Sequence, residues 1–246
     1  FYSLNPTKQE LNSNNGAYSS YDNSPMCQGL FQFDLWETEE FKKDYTLNCD
    51  WKSLREKIRK FGIRNSLLVA PMPTASTSQI LGNNKCIEPY TSNLYTRRTL
   101  SGEFTIVNKW LMEDLMRMGL WNEEMKQKLM YYRGSIQKIS GIPQETKDLY
   151  KTVWEIKQKV IADLAIDRAY FIDQSQSLNV FFEDPTHEKL IKYHIYTWKK
   201  GLKTGSYYIR SKPAVNSQQF TIDPDFQKKI MTEESEMYQP CEMCSA

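Results

Sequence analysis

The stretch Ser66 to Gly82, SLLVAPMPTASTSQILG, constrains the fold more than any other. Its opening, Ser66-Leu67-Leu68-Val69-Ala70, has the length and unbroken apolarity of a strand buried on both faces, as a parallel sheet in an α/β protein requires. Pro71 and Pro73 end that strand, and Thr74, Ser76, Thr77 and Ser78 then place four hydroxyls just before a helix start at Gln79-Ile80-Leu81. Amides at a helix start point outward and the macrodipole favours negative charge there, so such a loop suits an anion. It carries neither the lysine nor the glycines of a Walker A loop. The same residues also read as a polar loop whose Ser76 or Thr77 caps the helix.

Upstream, Asp50 is placed to cap a helix with Trp51, Leu54, Ile58 and Phe61 on one face, and Gly62 sits where a C′ glycine belongs. Helix, glycine, short link and strand make the αβ half of an α/β repeat. Residues 12–25 are rich in Asn, Ser and Gly and read as a loop, and Gly29 to Trp36 fits a short strand or a buried turn. Downstream, helices are expected from Asn108 and Asn122, carrying Leu111, Leu115, Met125 and Leu129. A longer helix is expected from Gln144 to Arg168, with Leu149, Val153, Ile156, Val160 and Leu164 inward and Trp154 in the core.

Ala169 to Asp173 and Ser177 to Phe182 read as short strands around a polar turn at Gln174-Ser175-Gln176. Thr186 can cap a helix that turns Leu190, Tyr193 and Trp198 inward and stops at Gly201. His187 and His194 lie two turns apart on it, too far for one metal ion. Lys203 to Arg210 reads as a turn into a strand. Adjacent aromatics on a strand normally face opposite ways, so Tyr207 and Tyr208 would have to break that rule to work as a stacked pair. From Asp223 the pattern dissolves into a charged tail read as flexible, ending Cys241-Glu242-Met243-Cys244-Ser245-Ala246.

Composition narrows the function. The 246 residues carry 32 basic and 30 acidic side chains, net +2, with no basic stripe, so nucleic acid is not an expected partner. No apolar run approaches a membrane span and no signal peptide opens the chain, so a cytoplasmic setting is expected. Phe1 opens the sequence without a cap or turn, and more chain is expected upstream. The five cysteines are not a secreted disulfide framework. Cys86, with no histidine near it in sequence, reads as a small buried filler rather than a nucleophile. Cys241 and Cys244 alone have redox spacing, and no second pair completes a zinc site. On a flexible linker of about eighteen residues they would reach roughly 23 Å, enough to enter a pocket and swing out.

Several segments together resemble one family. PMPTASTSQILGNNKCIEPYTSNLYTRRTLSGEF (Pro71 to Phe104), AYFIDQSQSLNVFF (Ala169 to Phe182), WKKGLKTGSYYIRSKPA (Trp198 to Ala214), GAYSSYDNSPMCQGLFQFDLW (Gly16 to Trp36) and the terminal CEMC are similar to the large, catalytic subunit of class I ribonucleotide reductase. The resemblance implies an α/β fold, the C-terminal part of a ten-stranded α/β barrel over residues 1–222, with a redox-active tail over 223–246. It implies that Pro73, Thr74, Ala75, Ser76 and Thr77 bind the diphosphate of a ribonucleoside diphosphate. Tyr207 and Tyr208 would relay a radical from a small subunit that holds a tyrosyl radical and dimetal centre. Ile209 and Tyr196 have no such role. Cys241 and Cys244 would re-reduce the active site and be reset by thioredoxin or glutaredoxin. No cofactor would be bound directly.

The family's radical cysteine, its assisting Asn and Glu, its active-site redox pair and its ATP and dNTP effector sites lie upstream of the matching region. Cys27, Cys49 and Cys86 do not occupy those motifs. The expectation is therefore the C-terminal portion of a reductase, inert without the upstream part of the large subunit. A non-catalytic nucleotide-binding or regulatory homologue is the alternative, against which Tyr207, Tyr208 and both tail cysteines argue.

Overall fold

A computed structural model describes residues 16–36, 49–212 and 224–237. In chain order these form helix α1 (Trp51–Phe61), the short α2 (Thr77–Ile80), strands β1 (Leu94–Thr99) and β2 (Gly102–Val107), and helices α3 (Lys109–Arg117), α4 (Glu123–Tyr131), α5 (Gln144–Leu149) and α6 (Gln158–Ala169). Strand β3 (Asn179–Phe182), helix α7 (His187–Lys199), strand β4 (Tyr208–Ser211) and helix α8 (Pro224–Met237) follow. Gln32–Leu35 and Val153–Glu155 are single 3-10 turns. Among the described residues, no helix is long and apolar enough to cross a membrane.

The chain divides into two units. The first gathers the described residues up to Glu88 with Lys157–Ser211. Its α1 forms as its sequence dictates: the Asp50 carboxylate accepts the Ser53 N–H at 3.0 Å, and Gly62, at φ +71°, returns its own N–H to the Ile58 carbonyl. Trp51 and Ile58 pack with Tyr21, Phe31 and Ile63 in an aromatic-rich core, whereas Phe61 is exposed. Gly29 to Trp36 resolves as a turn. Strands β3 and β4 run parallel, joined through α7 as a βαβ crossover requires, with Asn179 opposite Tyr208 and Phe182 opposite Ser211.

The second unit is Pro89–Ile156 with α8. Here β1 and β2 form an antiparallel hairpin in which Leu94 faces Val107 and Thr99 faces Gly102. Asn108 and Asn122 cap α3 and α4 by accepting the N–H groups of Trp110 and Met125. Leu111, Leu115, Met125 and Leu129 are buried together with Leu94, Ile136 and Ile139.

Several expectations are corrected. Ser66–Ala70 forms no strand, and Leu67 is half exposed. The N–H groups of Leu68 and Val69 both go to Asp173 Oδ2, at 2.8 and 3.0 Å, so a side chain takes the donors a neighbouring strand would use. The long helix from Gln144 to Arg168 is broken into α5, a 3-10 turn and α6. The break is held from outside: Asn93 Nδ2 donates to the Tyr150 carbonyl at 2.8 Å, and Val153 N–H to the Tyr90 carbonyl at 2.8 Å. Leu149, Val160 and Leu164 are consequently exposed, Trp154 is only half-buried, and α6 buries Ile161, Ala162, Ala165, Ile166 and Ala169 instead.

Ala169–Asp173 closes α6 with a turn, Phe171 N–H reaching the Arg168 carbonyl, rather than forming a strand. Gln176, expected in a polar turn, is buried with its Nε2 donating to the Ala165 carbonyl at 2.7 Å. Trp198, expected inward, is 74% exposed, while Thr197 and Tyr193 fill the inner face of α7. Pro224–Met237 is helical where the sequence pattern was read as dissolving, and Ile230 on it is buried. The described strands form two two-stranded sheets and close no barrel.

Candidate functional site

The hydroxyl loop is built around two left-handed residues. Thr74 sits at φ +49° and Cys86 at φ +46°, uncommon for side chains of these types, and they hold each other. Cys86 N–H donates to Thr74 Oγ1 at 2.8 Å, and Cys86 Sγ donates to the Pro73 carbonyl at 3.1 Å. The Thr74 carbonyl accepts the Ser78 N–H at 3.0 Å, turning the chain into α2.

Ser76 stands at the N-cap position, but its side chain makes no capping bond, and neither it nor Thr77 acts as the cap that the polar-loop reading expects. Ala75, Ser76 and Thr77 are exposed, and among the described residues their three N–H groups take no protein acceptor. The loop thus presents adjacent amides and hydroxyls outward, a donor array that fits a phosphate. Beside it lies a cavity of about 310 Å³ lined by Ala70, Met72, Thr74, Cys86, Glu88 and Arg168 among others. The Cys86 thiol is pushed up to about 11 by burial and then by the neighbouring Glu88 carboxyl, which favours its protonated form; it is only partly buried and lines this cavity, not the buried filler that the sequence suggests.

Glu88 links this loop to β3, the strand paired with the one that Tyr208 opens. Asn179 Nδ2 donates to Glu88 Oε1 at 2.5 Å, and Asn179 is the register partner of Tyr208. Burial raises the Glu88 pKa, opposed by hydrogen bonds from Cys86 and Asn179 and by the charges of Arg210 and Lys85. A raised folded-state value means that the folded protein binds this proton more tightly than the unfolded chain. The associated stability is present below the unfolded carboxyl's pKa and is lost as pH rises through the folded one. Glu88→Gln, which keeps an acceptor for Asn179, is therefore expected to gain thermal stability over the parent at pH 7 and to match it near pH 4. Melting curves of the two across that range check this, and parallel curves would count against it.

Tyr207 and Tyr208 touch, but not as the stacked pair on one strand that the sequence reading required. Tyr207 lies just before β4, its N–H donating to the Leu178 carbonyl at 2.6 Å, and Tyr208 is the first residue of the strand. Their ring centroids are 4.4 Å apart at an interplanar angle of 64°, so the rings touch tilted rather than stacked in parallel. Each is about half exposed. The neighbouring Tyr208 hydroxyl raises the pKa of Tyr207. Tyr196, by contrast, has its hydroxyl bound to Asp163 on α6.

Comparison with known proteins decides the family. The model for "Ribonucleotide reductase, barrel domain" matches residues 4–208, most of the chain and all of the loop, Glu88, Asn179 and the tyrosine pair. The chain belongs to the ribonucleotide reductase family. It is 60% identical over 209 residues to the ribonucleoside-diphosphate reductase large chain of Schizosaccharomyces pombe, covering 85% of this chain and 25% of that one. It is 55% identical over 225 residues to the large subunit of Dictyostelium discoideum, covering 91% of this chain and 25% of the relative. The large chain of Encephalitozoon cuniculi matches all 246 residues at 48% identity, over 31% of its length. The chain therefore spans about a quarter to a third of the curated relatives it matches.

Among solved structures, the Actinobacillus ureae class Id ribonucleotide reductase alpha subunit aligns with a TM-score of 0.57 at 25% identity, covering 77% of this chain and 37% of that one. The α/β class read from the sequence is the class of these relatives. The loop and the tyrosine pair, distant in sequence, fall in one unit of the chain. Cys241 and Cys244 lie outside the described residues. Among the described residues, no group of three or more His, Cys, Asp or Glu is arranged to hold a metal ion.

Glu88 and Asn179 were not singled out in the sequence. Asn179 does sit as one polar residue in the otherwise apolar LNVFF, a signal that marks a side chain with a specific partner.

Proposed function

We propose that this chain is the C-terminal portion of the large subunit of a ribonucleoside-diphosphate reductase, working in the radical-based reduction of ribonucleoside diphosphates to deoxyribonucleoside diphosphates for DNA synthesis. The carrying observation is the 55–60% identity, over most of the chain, to relatives with that name. In this reading residues 1–222 are the C-terminal part of a ten-stranded α/β barrel, and 223–246, which include helix α8, carry the redox-active cysteine pair.

The diphosphate lies on the 73–77 loop, where the outward amides of Ala75, Ser76 and Thr77 supply donors and the hydroxyls of Thr74, Ser76 and Thr77 add to them. Tyr207 and Tyr208 carry the radical from a small subunit toward the active site. Phenols suit this because electron and proton can leave together, and contact between the rings keeps the step short. Half exposure of the pair supports hand-over from a partner. Cys241 and Cys244 return electrons to the active site by thiol–disulfide exchange and are reset by thioredoxin or glutaredoxin. Chemistry at the ribose and binding of ATP or dNTP effectors belong to the upstream part of the subunit, the tyrosyl radical and dimetal centre to the small subunit, and the setting is cytoplasmic.

The test is CDP reduction by this chain combined with a separately expressed upstream fragment and a cognate small subunit. Product formed only in the complete mixture supports the reading. Its absence despite demonstrated assembly would point to a binding-only homologue.

A further inference from the structure

Tyr208 shares one face of the parallel pair with Arg210, two residues on, and with its register partner Asn179. The Arg210 guanidinium lies over the Tyr208 ring, with Cζ 5.2 Å from the centroid. Asn179 in turn holds the Glu88 carboxyl at 2.5 Å, and Arg210 is close enough to Glu88 to draw its pKa down against burial. The ionisable groups around this cluster are Tyr207, Tyr208, Arg210, Glu88, Cys86 and Lys85. Asn179 Oδ1 is buried without a hydrogen-bond partner among the described residues, and the side-chain hydrogen bond of this amide is the one its Nδ2 gives to Glu88.

We propose that the Arg210 guanidinium lying over the ring sets how readily Tyr208 gives up an electron, and that the Glu88 carboxyl held by Asn179 opposes it through space. The inference rests on the relay reading above. In the forward step one electron and the hydroxyl proton leave Tyr208 for a one-electron oxidant of the small subunit, which is reduced by both. The neutral Tyr208 radical then takes one electron and one proton from Tyr207.

A cation is attracted by the full π-system of the phenol and less by a ring that has lost an electron. Arg210 therefore favours the reduced form of Tyr208, and the ionised Glu88 carboxyl weakens that hold. Asn179 fixes the Glu88 carboxyl beside this strand pair. The two charges thus limit how long the radical rests on an exposed tyrosine.

The same field acts on the acidity of the phenol, which can be read without turnover. The probe is 3-nitrotyrosine placed at position 208 of the full-length large subunit, titrated by its absorbance. Arg210→Gln is expected to lower the acid dissociation constant of the probe about two- to fivefold, the range of an exposed cation–π contact. Glu88→Gln is expected to raise it, and Arg210→Lys to restore most of the Arg210→Gln loss because the positive charge returns. Shifts in opposite directions with lysine rescue support the proposal. A constant that is unchanged in both Gln variants, or that moves the same way in both, overturns it. Turnover by Tyr208→Phe would strike the relay reading instead, so the two failures are separable.

Discussion

Tyr208→Phe in the assembled reductase is expected to bring CDP turnover down by more than about a thousandfold, a barrier rise of roughly 4 kcal/mol or more. Tyrosine can be oxidised to a neutral radical because its hydroxyl proton leaves with the electron. Phenylalanine has no such proton, and its ring would have to carry a full positive charge beside the Arg210 guanidinium, 5.2 Å from the same position in the parent. The ring itself remains, so contact with Tyr207 and the β3–β4 pairing should survive, and the loss is one of relay and not of fold. Assembly with the small subunit, followed by sedimentation, should be unchanged. Tyr196→Phe is the matched control: it removes a hydroxyl bound to Asp163 and is expected to keep turnover. Turnover by Tyr208→Phe within tenfold of the parent would take that residue out of the relay.

Gly134→Ala is expected to be the most damaging small substitution in the second unit, at about 4 kcal/mol. Gly134 sits at φ +78°, where any other residue is strained. A methyl group there would lie 2.0 Å from Ser92 Oγ and 2.7 and 2.8 Å from the backbone nitrogens of Asn93 and Leu94. Those backbone atoms cannot retreat cheaply, because the Gly134 carbonyl accepts both the N–H and the Nδ2 of Asn93, at 3.2 and 3.0 Å. The same Asn93 amide ties down the Tyr150 carbonyl, and Asn93 Oδ1 accepts from Asn108 Nδ2 at 2.9 Å. The clash would thus spread to the start of α3 and the end of α5. Amide hydrogen exchange in the full-length subunit should show protection of Leu94 and Leu111 falling by about a thousandfold. Protection within tenfold of the parent would show that the turn can move aside.

How legible each element was depended on where its hydrogen bonds go. Helix α1 was readable because its cap Asp50, its apolar stripe and its closing Gly62 are all local, and the same holds for α3 and α4 with Asn108 and Asn122. The 144–168 segment misled because its break is imposed by Tyr90 and Asn93, more than fifty residues earlier, and nothing within the segment announces it. Ser66–Ala70 has a strand's composition but meets a carboxylate instead of a strand. The β1–β2 hairpin was missed although Ser101-Gly102 supplies a turn signal between alternating residues.

The candidate site divides in the same way. The loop and the tyrosine pair stood out as family motifs, while Glu88 and Asn179 matter only through contacts made across 91 positions of sequence.

Asp173 has a consequence for which substitutions this chain can accumulate. Its carboxylate grips Leu68 and Val69 by their backbone, and its own carbonyl accepts Lys203 Nζ. The backbone at 68 and 69 is held through N–H groups that every residue type except proline possesses, so apolar replacements at Val69 should drift neutrally between lineages. Position 173 has no such latitude. Asparagine presents the same shape without the charge, and glutamate overshoots two fixed amides, so divergence should be lowest at a residue that neither binds substrate nor carries a radical.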